Sequence, residues 1–263
     1  MSAEERRAWT RDELILAINL YCKTPFGKIH IRNPNIIELA GLLNRTPGSV
    51  SYKLANFANI DPSLERKGAS HVSRLDRQVW NEFFENWDEM AFKSEVKANN
   101  IRGKSINIPE DILFPEGKTK KSVVKTRVNQ NFFRKMILTS YGHTCCITGL
   151  AIPELLVAGH IVPWSVDAEN RMNPRNGLCL NALHEKAFDL GFISIDDNFH
   201  VMVSKKVRNI DREKAKMLMD YEGKKITLPN RFIPDQKFLA LHRENVFMKY
   251  NNNGNLIQKG INH

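Results

Sequence analysis

The stretch from Cys145 to Ile195 constrains this chain more than any other, because it sets two histidines in a tight frame of apolar residues. His160 closes the apolar run from Leu155 to Gly159 and is followed by Ile161, Val162 and Pro163. A short strand therefore delivers His160 at its end. Asn176-Gly177 comes next, and both residue types tolerate positive φ, which predicts a tight turn. Leu178 and Leu180 predict a second strand. Asn181 is placed to cap a helix carrying His184, with Leu183, Ala187 and Phe188 on its buried side. Strand, turn, strand and helix would bring His160 and His184 near each other.

Four pieces of this stretch, Cys146-Ile147-Thr148-Gly149, Gly159-His160-Ile161-Val162-Pro163-Trp164, Asn176-Gly177-Leu178 and His184 to Asp189, carry a family resemblance. In that order they resemble the HNH endonucleases, the ββα-metal nucleases. The resemblance implies phosphodiester hydrolysis, which needs a base to deprotonate water and a cation to offset charge on the phosphoryl and leaving oxygens. It also implies three catalytic residues. His160 would be the general base, Asn176 the loop residue that orients it and braces the turn, and His184 a metal ligand on the helix. The expected cofactor is a divalent metal, Mg²⁺ or Mn²⁺. Many family members place Asp or His immediately before the base, and this chain has Gly159 there. Mg²⁺ keeps waters readily and is compatible with few protein ligands. Asp189, or else Glu154, would complete the shell, although Asp189 also reads as a helix-end residue before Gly191. Arg171 and Arg175, between the two strands, are expected DNA contacts.

A length of 263 residues suits two modest domains. No apolar run approaches the ~18 residues of a membrane span, and charged residues from Glu4 to Arg7 stand where a signal segment would be apolar. These features predict a cytoplasmic protein without membrane contact. The four cysteines, Cys22, Cys145, Cys146 and Cys179, lack two Cys-x-x-Cys pairs, so a structural zinc is not predicted and apolar thiols are expected. The net charge of +10 suits a polyanionic partner. Between Ile101 and Lys135, nine Lys and Arg oppose three acids, a local net of +6. Lys118, Lys120 and Lys121 within it either track phosphates or form a solvated linker.

In the N-terminal third, Thr10 to Glu13 forms a capping-box sequence opening an amphipathic helix. Asn35 with Glu38 starts a second helix, and Thr46-Pro47 opens a third that runs to about Ala58. Helix, four-residue turn and helix is helix-turn-helix spacing. The pattern has a look of Myb-like domains and resembles accessory domains found ahead of HNH domains in bacterial nucleases. On that reading Ser49, Ser51, Tyr52, Lys53 and Asn56 face DNA while Val50, Leu54 and Phe57 pack inward. The alternative is a helical bundle for protein contacts. Ser73 opens a fourth helix whose Trp80, Phe83, Phe84 and Trp87 form a core stripe. Pro109, Pro115 and Gly117 mark a basic linker, and a helix from Asn129 to Tyr141 enters the second domain. A hairpin (192–195 with 200–203) and helices near 212–221 and 235–246 complete it, with His242 structural or on the surface.

The expected fold class is α+β. A helical, helix-turn-helix-like domain (1–92) is followed by a basic linker (93–128), an HNH ββα-metal nuclease domain (129–250) and a tail (251–263). The expected function is metal-dependent endonucleolytic cleavage of double-stranded DNA in restriction or phage defence, with a homodimer as a possible assembly. Two alternatives stay open. One is a catalytically inactive DNA-binding protein on an HNH scaffold, and the other is a defence effector nuclease whose N-terminal domain binds a protein or signal.

Overall fold

The computed structural model describes residues 7–64, 68–104 and 120–248. The chain divides into two compact units, residues 1–140 and 141–263.

The first unit is helical: α1 (Arg11–Cys22), α2 (Pro34–Leu42), α3 (Pro47–Ile60), α4 (Arg74–Glu85), α5 (Trp87–Ile101) and α6 (Lys120–Ser140). Caps start most of them where local chemistry demands. Thr10 and Glu13 complete the capping box of α1, and Ser73 and Asp76 that of α4. Thr46 caps α3 ahead of Pro47. In α2 the cap is Asn33 with Pro34 at the first helical position, two residues before the expected start.

Helix α1 is less amphipathic than its sequence suggests. Every residue from Glu13 to Cys22 is buried, because α3, α4 and α5 all pack on it. A helix buried on all sides can carry apolar residues all round. Tyr21 sits among Phe57 and Trp80, with ring centroids 6.1 and 5.6 Å away, and donates to Asp61 at 2.7 Å. Fully burying one such aliphatic or aromatic side chain contributes about 1.5–3 kcal/mol. The stripe of Trp80, Phe83 and Trp87 is core as expected. Asn86 leaves helical geometry, however (φ −132°, ψ 59°), and divides the stripe between α4 and α5.

The linker expected over 93–128 is helical at both ends. Residues 93–101 continue α5 and residues 120–128 open α6, whose Asn129 bonds Asp88 and whose Phe132 packs 6.3 Å from Phe83. Hence the helix expected to enter the second domain belongs to the first, and the units divide at Ser140–Tyr141. Lys118 lies outside the described residues, as do the side chains of Lys120 and Lys121. Two other cations of the basic stretch are neutralised within this unit. Lys125 pairs with Asp88 and Glu89 at 2.7 and 2.9 Å, and Arg102 with Glu38 at 2.8 Å.

Glu13 is buried, yet hydrogen bonds from Arg45 and Thr10 and the charges of Arg45 and Arg7 outweigh its desolvation and bring its pKa to about 2. A carboxylate depressed on folding contributes stability above its ordinary pKa, lost as pH falls from about 4.5 through about 2. Thermal melts between pH 5 and pH 2 should therefore show Glu13→Gln losing less stability than the native chain over that interval.

The second unit holds two antiparallel pairs. Strands β1 (Leu156–His160) and β2 (Gly177–Asn181) pair Leu156 with Asn181 and His160 with Gly177. Helix α7 (Ala182–Asp189) follows directly and packs on both. Strands β3 (Ile193–Ile195) and β4 (Val201–Val203) form the expected hairpin. Short helices α8 (Lys205–Arg208) and α9 (Lys216–Met219) come next, and only one turn of the expected 212–221 helix forms. Helix α10 (Gln236–His242), capped by Asp235, continues as a π turn to Phe247. His242 is structural: buried at 3 % exposure, it bonds Ser194 and the Phe188 carbonyl.

Candidate active site

His160 ends β1, and the chain returns to β2 through a loop, residues 161–176. Asn176 closes that loop with its side chain. It is fully buried, its Oδ1 accepts from Val162 N at 2.8 Å, and its Nδ2 donates to the carbonyls of Val162 (3.1 Å) and Asn170 (3.3 Å). The expected tight turn at Asn176-Gly177 does not form. Gly177 has φ −136° and begins the strand, while Asn176 ends a short 3₁₀ turn from Pro174. The connection is too long for a two-residue turn, and the carboxamide holds it instead.

This brace reaches His160 through the chain. Beside Asn170, the Arg171 carbonyl meets His160 Nε2 at 2.9 Å. A carbonyl only accepts, so Nε2 carries the hydrogen and the neutral ring keeps its lone pair on Nδ1. Trp164 packs edge-on to the imidazole, centroids 5.3 Å apart at 86°, and the Arg171 guanidinium lies 5.3 Å over the Trp164 ring. Burial pushes the His160 pKa below its ordinary value, partly offset by the bond to Arg171. The ring is thus neutral near pH 7, the form a base requires.

The Cys146-to-Gly149 motif anchors the other end of the ββα frame. Cys145 N donates to the Leu150 carbonyl and Gly149 N to the Cys145 carbonyl, with Gly149 in the left-handed region (φ 74°) that glycine adopts without strain. Cys146 N then bonds the Cys179 carbonyl of β2 at 2.8 Å, and Asn181 Nδ2 reaches Thr148 Oγ1 at 3.3 Å. Cys145, Cys146 and Cys179 are buried thiols outside any disulfide, and burial drives the Cys146 pKa upward.

Helix α7 starts as expected, Asn181 Oδ1 accepting from His184 N at 2.9 Å. Its buried side differs from expectation, for Leu183 is 48 % exposed while His184, Ala187 and Phe188 are buried. The residue expected as a metal ligand, His184, lies in the interior. Its imidazole is completely buried, with Nδ1 on Asn181 Oδ1 at 3.0 Å and the ring edge-on to Tyr221 at 5.3 Å. Nε2 is enclosed and makes no hydrogen bond among the described residues. In this arrangement His184 braces the helix cap.

The sequence reading missed Glu185. A Cβ on Gly159 would lie only 3.3 Å from Glu185 Cγ, so Glu185 stands where a side chain before the base would project. Asp189 is one turn further along α7, on the same face. Burial and the Asp189 charge raise the Glu185 pKa, and protein mass around the otherwise exposed Asp189 raises that of Asp189. Two carboxylates driven toward protonation gain from a cation, and their oxygens suit Mg²⁺ or Mn²⁺. Among the described residues no three His, Cys, Asp or Glu side chains form a metal-binding group. The i,i+4 acidic pair on the motif helix was the available signal. Glu154 lies in a 3₁₀ turn before β1.

Of the expected DNA contacts, Arg171 lies beside the base while its Nε also bonds the Ala168 carbonyl. Arg175 is exposed and pairs with Asp235 at 3.3 Å. In the helical unit, Val50, Leu54 and Phe57 pack inward as expected, Tyr52 is 47 % exposed, and Ser49 and Ser51 are half-buried. Lys53 and Asn56 do not lie on an exposed reading face. Lys53 is 7 % exposed with its ammonium on both oxygens of Asp76 at 2.8 and 2.9 Å, and Asn56 is 2 % exposed. The packing of α4 against α3 draws both inward.

Among the described residues no helix is long and apolar enough to cross a membrane. No curated protein matches the chain. The family model for HNH endonucleases matches residues 145–196. That match spans β1, the stapled loop, β2, α7 and β3, and the pieces fit together as one strand-loop-strand-helix site. Residues 145–196 therefore belong to the HNH endonuclease family, and this chain carries a nuclease domain of that family.

Proposed function

We propose that this chain is a divalent-metal-dependent endonuclease that hydrolyses phosphodiester bonds of double-stranded DNA, in restriction or phage defence. The orientation of His160 carries this reading. A neutral imidazole with Nε2–H committed to the Arg171 carbonyl leaves Nδ1 as the atom that takes a proton from water. Asn176 is a positioning residue, acting through the loop that holds that carbonyl. Arg171 supplies positive charge beside the base for a phosphate.

Glu185 and Asp189 are the side chains that would hold Mg²⁺ or Mn²⁺. When bound, the ion would supply charge stabilisation of the phosphoryl and leaving oxygens. Gly159 favours a second reading, a DNA-binding protein on an inactive HNH scaffold. Incubation of modified and unmodified plasmid with Mg²⁺, Mn²⁺ or EDTA separates the two. The first reading expects nicked or linear product with metal and none in EDTA, and intact plasmid under every condition supports the second. The carboxylate pair has its own readout. Glu185→Gln with Asp189→Asn should lower bound Mn²⁺, followed by electron paramagnetic resonance, by tenfold or more in affinity, and unchanged binding would remove the pair from the site.

A further inference from the structure

An open cleft of about 1140 Å³ lies in the helical unit, lined by the Arg7–Trp9 arm, the Asn44–Thr46 turn, the inner side of α3 and His71. Its walls are built by ion pairs whose geometry the interior holds in place. Arg45 donates to Glu13 at 3.1 and 2.8 Å and to the carbonyls of Arg7 and Ala8 at 3.1 and 2.8 Å, fastening the arm. Its guanidinium lies 4.2 Å over the Trp9 ring, with the Lys53 ammonium 5.4 Å from the same ring. Two residues before His71, Ala69 N donates to the Ala55 carbonyl at 3.1 Å. That approach requires glycine at 68, where a Cβ would stand 2.0 Å from the Ala55 oxygen.

Among the described residues one buried polar group of this frame has no partner. Asn56 lines the cleft at 2 % exposure, and its Oδ1 makes no hydrogen bond among the described residues. A buried polar group without a partner is costly, and native interiors rarely keep one without water, ligand or function to satisfy it. Rotation of the carboxamide presents either a donor or an acceptor, a pair that matches the edge of a base. Exposed Tyr52 at the cleft adds an aromatic face, and base stacking on aromatic rings tolerates any base. The charges complete the fit. Arg7 and Arg45 share the single carboxylate Glu13, and Lys53 is matched by Asp76, which leaves an excess of one positive charge for a phosphate.

We propose that this cleft binds a nucleobase with its attached phosphate, Asn56 meeting the base edge, Tyr52 stacking on its face and Arg7 facing the phosphate. The base can come from a free nucleotide or from a DNA strand with one base out of its stack. The inference stands apart from the nuclease reading, since binding here requires no cleavage.

The test uses the full chain in EDTA, titrated with each of the four deoxynucleoside 5′-monophosphates, with inorganic phosphate, and with duplexes that are fully paired or carry one unpaired base. Saturable binding of a mononucleotide supports the cleft with a free nucleotide as source. Preference for the unpaired-base duplex over the paired one supports it with DNA as source. Asn56→Leu, close in volume and without polar atoms, should weaken that binding tenfold or more while leaving the melting temperature equal or raised. A purely structural Asn56 would lower the melting temperature instead. Tyr52→Ala, at an exposed position, should weaken binding by about tenfold whether or not Asn56→Leu folds. The proposal is overturned if neither mononucleotide nor unpaired-base duplex binds selectively, if inorganic phosphate competes as well as a nucleotide, or if both variants bind like the native chain.

Discussion

His160→Ala is expected to slow DNA cleavage by at least ~10²-fold, the usual contribution of a general acid or base, while DNA binding persists. The imidazole bonds the Arg171 carbonyl and packs edge-on to Trp164. Loss of the bond to Arg171 should cost about 1 kcal/mol of stability, and a melt distinguishes a catalytic loss from an unfolded domain. The pH profile supplies an independent check. Burial favours the neutral ring, and the neutral ring is the active base. The native rate should thus hold as pH falls to the ordinary imidazole value and drop below it, where the ring protonates. The residual rate of the alanine variant should lack that limb. Near-native cleavage by His160→Ala would remove the residue from the mechanism.

Asn176→Ala should damage both stability and turnover. Truncation strands the N–H and carbonyl of Val162 in the interior, while the Asn170 carbonyl keeps its bond from Asn173 N. Each unsatisfied buried group costs about 1–3 kcal/mol, so partial relaxation of the loop still leaves a loss of roughly 3 kcal/mol. Denaturant unfolding would read this as a lower midpoint for the transition of the second unit. Cleavage should fall as well, because the Arg171 carbonyl that orients His160 sits on the loop Asn176 holds. Asn176→Asp keeps the acceptor for Val162 N and loses both donors, so it should fall between the two in stability. An alanine variant with native stability and native rate would show that the loop holds itself.

What the sequence determined by itself was what depends on near neighbours in the chain. Thr10, Thr46, Ser73 and Asn181 cap their helices because an N-cap oxygen needs only the backbone two or three residues ahead. The order of the motif in 145–195 singled out His160 and Asn176 through its resemblance to the HNH endonucleases. The tertiary structure decided what each side chain meets. Helix α3 turns Lys53 toward Asp76, 23 residues later, so a residue that reads as a solvent-facing cation becomes half of a buried pair. Tyr221 closes over His184 from 37 positions away. Glu185 gains meaning only because β1 brings Gly159 beneath it, where the missing Cβ leaves space for a carboxylate. Local chemistry sets where elements begin, but burial and pairing are set by elements distant in sequence, and no single stretch carries that information.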